Sequence, residues 1–267
     1  MTFTIGVDVG GTKVLGGVVD ELGQVHKTAR RDTPKEGGAA LTAAIAEVAN
    51  ELKAQFPVES VGVSAAGWVS SDRKTMLATP NISGWNGVNL DYEFTQLIGL
   101  PVVIENDANS AAWGEARFGA AQGKQHVLLL TIGTGLGGGI VIDGKLHRGA
   151  FGIAAEVGHM RVVPDGLLCG CGAKGCFEQY GSGSALMRHT REAIEANPDI
   201  AEKLLARGDG TFSGLTGTMI MEAARAGDVI AIEAFRTTGK WIGAAVASLS
   251  AILDPEIVVI GGGVIDA

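Results

Sequence analysis

The chain has 267 residues, 46% of them hydrophobic, so it is long enough to bury a large core and to form two domains. Its 21 basic and 29 acidic residues give a formal net charge of −8, which argues against a nucleic-acid-binding surface. The N-terminus lacks the basic region of a signal peptide, and the longest apolar stretch, 242–253, is too short to span a bilayer. We therefore expect a protein of the reduced cytoplasm that binds neither nucleic acid nor membrane.

The chain opens on a predicted β-hairpin with a glycine turn. Thr4–Val9 and Lys13–Val19 are the predicted strands, and Gly-Gly-Thr at 10–12 forms the turn. The turn is too short for a Walker A loop, and it leads into a strand where that loop leads into a helix. Its N–H groups can form an anion nest, with Thr12 adding a hydroxyl and Asp8 facing a metal; the alternative is a plain hairpin turn.

The same pattern recurs 123 residues later, so that Gly133 takes the place of Gly10. The predicted strand Val127–Ile132 precedes a GTGLGGG turn, and the strand Ile140–Ile142 follows it. The turn also contains the GxGxxG spacing of a dinucleotide site, but that motif requires a helix where a strand is predicted here. Two glycine hairpins facing one another instead indicate a duplicated α/β design that wraps a triphosphate.

A long polar loop is predicted between the two hairpins. A helix at 39–56 and a strand at 61–64 precede it, and the loop itself carries Asn81 and an exposed Trp85. Polar residues in loops above a rigid scaffold often contact ligands, although Asn81 is equally suited to an Asx-turn.

Asp107 stands at the end of the next predicted strand, which begins at Pro101 and runs to Ile104. Before it the predicted helix Leu90–Ile98 closes the loop region, and after it the helix Ala108–Phe118 begins. Open α/β sheets bind ligands beyond the carboxyl ends of their strands, which makes Asp107 a candidate catalytic base. The same residue is placed to cap the following helix, and the two roles are compatible.

All three cysteines lie in the short window from Glu156 to Glu178. One imidazole and three thiolates complete the tetrahedral shell of a structural zinc ion, with His159, Cys169, Cys171 and Cys176 as the predicted ligands. The alternative is three ordinary thiols, although an odd count argues against a full disulfide framework. The flanking carboxylates of Glu156 and Glu178 are either braced by the metal loop or solvated surface acids.

The remaining chain is predicted to be mostly helical. Helices are expected at 183–196, 200–207, 218–226 and 229–253. An apolar strand at 256–260 then leads into Gly261, Gly262 and Gly263. This third strand followed by a glycine turn indicates another ligand-facing edge.

Seven motifs in fixed order carry a family resemblance. They are DVGGTK at 8–13, PN at 80–81, ENDAN at 105–109, TIGTGLGGG at 131–139, EVGH at 156–159, CGCGAKGCFE at 169–178 and VIGGG at 259–263. Over essentially its whole length the chain resembles the ROK family (repressors, open reading frames and sugar kinases), and within it the ATP-dependent glucokinases of actinobacteria. The resemblance implies an α/β, two-domain actin/hexokinase-like fold, a ribonuclease H-like duplication with a structural zinc loop. Its expected domains are 1–117 and 118–267.

The resemblance also implies a reaction and a role for each motif. The γ-phosphate of ATP, accompanied by Mg²⁺, would pass to the 6-hydroxyl of glucose, with Asp107 as the general base. The implied sugar-binding residues are Asn81, Asn106, Asp107, Glu156, His159 and Glu178. Asp8 would orient Mg²⁺. The implied nucleotide-binding residues are Asp8, Gly10, Gly11, Thr12, Lys13, Gly133, Thr134, Gly135, Gly261, Gly262 and Gly263. A homo-oligomer is implied as well.

Several alternatives stay open at this point. The sugar could be mannose or N-acetylglucosamine, and the phosphate donor could be polyphosphate. A sugar-sensing repressor of the same family would carry a helix-turn-helix ahead of the first hairpin, and a hairpin starting at Thr4 leaves no room for it. Family members continue past the VIGGG motif, so we expect a chain ending at Ala267 to be truncated, with weakened nucleotide binding and a less stable N-terminal domain.

Overall fold

The computed structural model describes residues 2–79 and 82–264, which form two compact units. Unit 1 contains the described residues up to Gln125 together with Gly139–Ala155. Unit 2 contains His126–Gly138 together with the described residues from Glu156 onward. The sequence analysis placed one boundary at 117/118, whereas the chain crosses between the units three times. At the return to unit 1, Gly139 packs directly on helical residues, where an added Cβ would lie 2.3 Å from the side chain of Ala112.

The first part of the chain builds a five-stranded sheet with helices. Its elements are β1 (Phe3–Val9), β2 (Lys13–Asp20), β3 (Val25–Asp32), α1 (Gly38–Lys53), β4 (Val58–Ala65), β5 (Trp68–Val69), β6 (Thr75–Ala78), β7 (Val88–Asn89), α2 (Leu90–Ile98), β8 (Val102–Asn106) and α3 (Asp107–Phe118). The sheet order is β3-β2-β1-β4-β8, with β5, β6 and β7 in a separate small sheet. Strands β1 to β3 pair antiparallel, while β1–β4 and β4–β8 pair parallel.

Alternation along the strands places one face of this sheet in the core. On β1, Ile5, Val7 and Val9 are buried, and the intervening residues face the other side. Helix α1 covers the buried face with apolar residues at helical spacing, among them Leu41 and Val48. Gly16 of β2 lets the helix come close, because an added Cβ would lie 2.4 Å from the Val48 side chain. The core of this part therefore forms between the sheet and the helices α1 and α2.

The second part of the chain builds a four-stranded sheet and a helical layer. Its elements are β9 (Val127–Ile132), β10 (Leu136–Ile142), β11 (Lys145–Leu146), a 3₁₀ turn (Val157–His159), α4 (Glu178–Gly181), α5 (Gly183–Ala196), α6 (Pro198–Leu205), a second 3₁₀ turn (Phe212–Gly214), α7 (Gly217–Arg225), α8 (Val229–Leu253) and β12 (Ile257–Gly261). The sheet order is β11-β10-β9-β12, in which β12 pairs parallel with β9. Helices α6, α7 and α8 share a small apolar core around Leu204 and Ile220. Within residues 2–79 and 82–264, none of the helices combines the length and hydropathy needed to cross a membrane.

Two expectations about the polar loop are corrected. Trp85, expected at the surface, is 1% exposed. Its indole Nε1 donates to Thr42 Oγ1 at 3.0 Å and to the Gly38 carbonyl at 3.2 Å, so its polar atom is satisfied inside the core. The segment expected to be loop also contains the short strands β5 and β6. Asn81 lies outside the described residues.

Candidate functional site

The first glycine turn has two anchored carbonyl groups and exposes part of its backbone. Gly10 N–H donates to the Lys13 carbonyl at 2.9 Å, which closes the turn. Thr33 holds the Gly10 carbonyl through Oγ1 at 2.7 Å and the Thr12 carbonyl through its N–H at 3.1 Å. Among the described residues, the N–H groups of Gly11 and Thr12 have no acceptor, and both residues are exposed. The turn therefore presents backbone donors outward, as an anion nest does.

The second glycine turn repeats this arrangement with different partners. Gly133 N–H closes the turn on the Gly135 carbonyl at 3.0 Å. The start of α5 holds the outer carbonyls: Gly183 N–H donates to Gly133 at 2.8 Å, and Ser184 donates to Thr134 from its N–H at 3.2 Å and its hydroxyl at 2.8 Å. A Cβ on Gly183 would lie 2.6 Å from the Gly133 carbonyl oxygen, so this contact requires glycine. The N–H groups of Thr134 and Gly135 have no acceptor among the described residues.

The third glycine turn packs beside the second. Gly262 has a φ of +102°, and an added Cβ would lie 2.5 Å from the Ile132 carbonyl oxygen, which also accepts Val264 N–H at 3.1 Å. The two turns open on one cavity of about 480 Å³. Its lining combines turn residues with apolar side chains: Gly133, Thr134, Gly263, Leu186, Met221 and Phe235. An apolar chamber beside free backbone N–H groups suits a base and ribose joined to phosphates.

Asp107 begins α3, but it does not cap the helix, as the sequence analysis had allowed. The cap is Asn106, whose Oδ1 accepts the N–H of Asn109 at 3.0 Å while its Nδ2 donates to the Gly67 carbonyl at 3.0 Å. Within the part of the chain that the structure describes, Asp107 Oδ1 accepts a hydrogen bond from the adjacent Ala108 N–H alone, at 2.9 Å. The Asp107 side chain is exposed at the carboxyl end of β8. Its carboxylate is therefore placed to receive a proton from a ligand.

Asp8 and Asp107 face the same groove in unit 1, which has a volume of about 550 Å³. Although part of Asp8 stays exposed, its pKa is raised above the ordinary 3.8, first by partial withdrawal from water and then by repulsion from Asp107. Lys13 acts in the opposite direction. A groove lined by two carboxylates that repel each other is a suitable site for a divalent cation.

The four predicted zinc ligands converge in unit 2. The ligand atoms of His159, Cys169, Cys171 and Cys176 all lie within 4.8 Å of one another. His159 Nδ1 is 3.7 Å from Cys169 Sγ, and Cys171 Sγ is 3.6 Å from Cys176 Sγ. Burial, together with the neighbouring thiols, raises the pKa of Cys176 to about 12, whereas a backbone hydrogen bond from Ala173 lowers that of Cys171. A donor set of one imidazole and three clustered thiols fits zinc.

The two carboxylates that flank this cluster point toward it. Glu156 Oε2 is 4.0 Å from His159 Nε2, the ring nitrogen opposite the cysteines. Glu178 Oε1 accepts from Cys169 Sγ at 3.8 Å, and its Oε2 accepts the N–H of Leu136 at 3.0 Å. Glu178 therefore connects the cysteine loop to the second glycine turn.

Several residues of these sites were not predicted. Thr33 and Ser184 anchor the two turns, and Gly183 permits the approach of α5. The Ser-Gly-Ser sequence at 182–184 is a helix-start signal that could have been noticed, because Ser182 caps α5 through the Ala185 N–H. Thr33 gives no comparable signal.

Comparison with known proteins agrees with this arrangement of motifs. The model of the ROK family matches residues 4–267. A glucokinase of Streptomyces coelicolor is 48% identical over 266 residues, which are 100% of this chain and 83% of that protein. A glucokinase of Thermotoga maritima is 37% identical over 97% of this chain and 81% of its own length.

A solved structure gives the same result. The ROK family glucokinase from Streptomyces griseus, determined in complex with glucose and AMPPNP, superimposes with a TM-score of 0.86 at 51% identity. The similarity covers 99% of this chain and 84% of that one. The glycine turns, Asp107 and the His-Cys₃ cluster thus occur in a mixed α/β chain that belongs to the ROK family.

Proposed function

We propose that this chain is an ATP-dependent glucokinase, which transfers the γ-phosphate of ATP to the 6-hydroxyl of glucose. One observation carries the proposal: both glycine turns have carbonyls held by protein donors, while the N–H groups of Gly11, Thr12, Thr134 and Gly135 have no acceptor among the described residues. The second turn also opens on an apolar chamber. The names of the Streptomyces and Thermotoga relatives, and the glucose and AMPPNP bound to the Streptomyces griseus enzyme, support the same substrates.

The proposed chemistry depends on positioning and charge neutralisation. Phosphoryl transfer requires little covalent work from the protein, so backbone donors, a cation and one base are sufficient. The N–H groups of Gly11, Thr12, Thr134 and Gly135 would surround the phosphates, while Asp8 would hold Mg²⁺, which neutralises phosphate charge when bound. The exposed carboxylate of Asp107 would take the proton of the 6-hydroxyl as it attacks phosphorus.

The proposed sugar site uses neutral and charged acceptors. Asn81, Asn106, Glu156, His159 and Glu178 would hold the remaining hydroxyls, and each bond excludes epimers that leave it unpaired. The Asn106 amide donates one N–H to the Gly67 carbonyl, and its second N–H has no acceptor among residues 2–79 and 82–264, so it can bind a ligand.

We further infer that zinc binds His159, Cys169, Cys171 and Cys176 as a structural ion. The bound ion would hold together a loop whose other links are backbone turns, such as the Cys169 N–H donating to Ala173 at 2.8 Å. A rigid loop would in turn hold Glu178 in place. Three unpaired thiols fit a reducing compartment, which we propose to be the cytoplasm.

The finer fold is proposed to be a duplicated, actin/hexokinase-like arrangement of ribonuclease H-like halves. Four strands of the first sheet have the order β3-β2-β1-β4, and the second sheet has the order β11-β10-β9-β12. Counted along the chain within each half, both orders read third, second, first and fourth strand. In both sheets the fourth strand is parallel to the first. Each half has a glycine turn between its first two strands. A duplicated half therefore accounts for the second glycine turn that follows the first 123 residues later.

A coupled assay with ATP and Mg²⁺ tests the function, with glucose, mannose and N-acetylglucosamine offered in parallel. Turnover that is highest on glucose is expected. Asp107→Asn should abolish turnover while glucose still binds in calorimetry, because the amide keeps the shape but cannot take the proton. Asp199→Asn, an exposed acid in the first turn of α6, is the matched control. Equal turnover of Asp107→Asn and wild type would refute the assignment of the base.

A further inference from the structure

The Glu105 carboxylate is hydrogen-bonded on both oxygens at the start of α3. Its Oε2 accepts from Arg148 Nε and from Arg148 Nη2, each at 2.7 Å. Its Oε1 accepts from the backbone N–H of Asn106 and from Asn109 Nδ2, each at 3.2 Å. Rotation of this carboxylate would therefore break contacts on both sides. The residue stands two positions before Asp107, where β8 ends.

The Glu105 carboxylate fixes the orientation of the Asn109 side-chain amide. Asn109 is 2% exposed, and its Oδ1 has no hydrogen-bond partner among the described residues. An unpaired buried oxygen costs free energy, so this orientation needs a reason. Exchanging the amide oxygen and nitrogen would bring Oδ1 against the Glu105 carboxylate, where two acceptors repel. Glu105 thus fixes the Asn109 side chain, while the Asn109 N–H is bound by the Asn106 cap.

Arg148 brings a distant part of the chain to this junction. It lies in the Gly139–Ala155 segment, which returns to unit 1 after the second glycine turn. The side chains of Arg148 and Glu105 are 27% and 15% exposed, so the ion pair is partly withdrawn from water. Removing the guanidinium would leave a partly buried carboxylate without its counter-charge, which is costly and favours rearrangement. The peptide at Asn106 and the start of α3 would move with it.

We propose that Glu105 and Arg148 are a positioning pair that sets the orientation of Asp107, an inference that rests on the proposed kinase function. Neither residue has to touch a substrate. Glu105 holds the backbone N–H of Asn106 and the side chain of Asn109, and these two residues form the capped start of the helix that carries Asp107. Loss of the pair should therefore lower the rate of the chemical step more than the affinity for sugar.

The test is a double-mutant cycle of Glu105→Gln and Arg148→Met, with kcat measured on glucose and sugar affinity measured by calorimetry. A misplacement of about 1 Å at a reacting group costs about 100-fold in rate, so kcat of Arg148→Met should fall by about 10- to 100-fold. The glucose dissociation constant should rise by a smaller factor than kcat falls, because Asn106 moves with Asp107 while the proposed sugar contacts of Glu156 and Glu178 stay in place. The double variant should be no slower than Arg148→Met alone, because the two residues act as one unit.

Two further variants keep the test decisive. Arg148→Lys retains the charge with a single donor group, and it should recover part of the lost kcat. Arg31→Met removes an exposed ion pair with Glu51 in the same unit and should leave kcat unchanged. Unchanged kcat in Arg148→Met, or independent losses that multiply in the double variant, would overturn the positioning role.

A spectroscopic measurement separates this inference from the proposed function. The side-chain amide resonances of Asn106 and Asn109 in a ¹⁵N–¹H spectrum should shift in Arg148→Met and stay in place in Arg31→Met. If wild type phosphorylates no sugar while these resonances shift as expected, the proposed function fails and the hydrogen-bond network stands. If wild type is active and the resonances do not move, the positioning pair is refuted.

Discussion

Glu178 accepts the backbone N–H of Leu136 at 3.0 Å, and so ties the first residue of α4 to the residue that follows the second glycine turn. The fit is close, because a Cβ on Gly135 would lie 2.6 Å from the same Glu178 oxygen. The other Glu178 oxygen faces Cys169. A residue that the sequence assigned to the sugar thus also supports the second glycine turn.

The first prediction concerns this contact. Glu178→Ala should weaken the binding of a non-hydrolysable ATP analogue by about 10-fold or more, since hydrogen bonds to charged groups contribute about 1.5–3 kcal/mol. Calorimetric titration measures the effect directly. Glu195→Ala, an exposed acid on α5, should bind the analogue as wild type does. Wild-type affinity in Glu178→Ala would mean that the turn holds its shape without the carboxylate.

The second prediction concerns the His-Cys₃ cluster. Cys171→Ser should lower the zinc content from one ion per chain and lower the melting temperature, because the binding free energy of a structural metal is part of the folding free energy. Treatment of wild type with a chelator should give the same loss. The same chelator should have no further effect on Cys171→Ser, which serves as its control. Metal content and melting temperature equal to those of wild type would refute the zinc site.

Much of the fold follows from local pattern. The predicted bounds of α2, α5, α8 and β9 are confirmed, because each is a run with a clear apolar period or continuous burial. The polar edge strand β3 was not predicted, since most of its residues are exposed and its only role in the sheet is to pair with β2. Local sequence predicts an element when the apolar residues of that element recur at helix or strand spacing. It does not predict an element, such as β3, that is held mainly by pairing with a neighbouring strand.

The other features that the sequence did not predict correctly also depend on residues distant in the chain. Trp85 is buried through partners 43 and 47 residues away in the sequence, and Thr33 reaches a turn 23 residues away. The strand at β10 begins at Leu136 instead of Ile140, because the turn closes within Gly133–Gly135. Motif spacing identified the glycines as candidates. It could not show which of their carbonyls would be held, and so which N–H groups would be free.

The third prediction concerns backbone strain at Ala155, where the chain passes from unit 1 to unit 2. Its φ is +69°, a region that disfavours a side chain with a Cβ. Ala155→Gly should therefore stabilise the protein by about 0.5–1 kcal/mol, the relief of strain less the extra freedom of glycine in the unfolded chain. Denaturant unfolding measures this change.

Ala154→Gly is the matched control for that experiment. Ala154 is not among the residues with positive φ, so glycine there brings only the entropic cost and should destabilise by about 0.4–1 kcal/mol. Opposite signs at two adjacent alanines would be difficult to explain by packing alone. Destabilisation of similar size at both positions would show that Ala155 carries no relievable strain.

The last prediction concerns the pH dependence of stability through Asp8. Its pKa in the folded protein is raised from 3.8, first by withdrawal from water and then by Asp107. The charged carboxylate is thus less favourable in the folded chain than in the unfolded one. Its contribution to stability is therefore best below pH 3.8, and it falls as pH rises through the raised pKa of the folded state.

Asp8→Asn should consequently melt at a higher temperature than wild type at pH 7, and the difference should shrink as pH falls toward 4. The variant should also lose turnover with ATP and Mg²⁺, since the amide cannot neutralise a cation. Asp32→Asn is the control, because the Asp32 side chain is 92% exposed. An Asp8→Asn melting temperature below that of wild type at pH 7 would show that Lys13 compensates the charge of Asp8 in full. In that case repulsion from Asp107 would not be the reason for a cation at this groove.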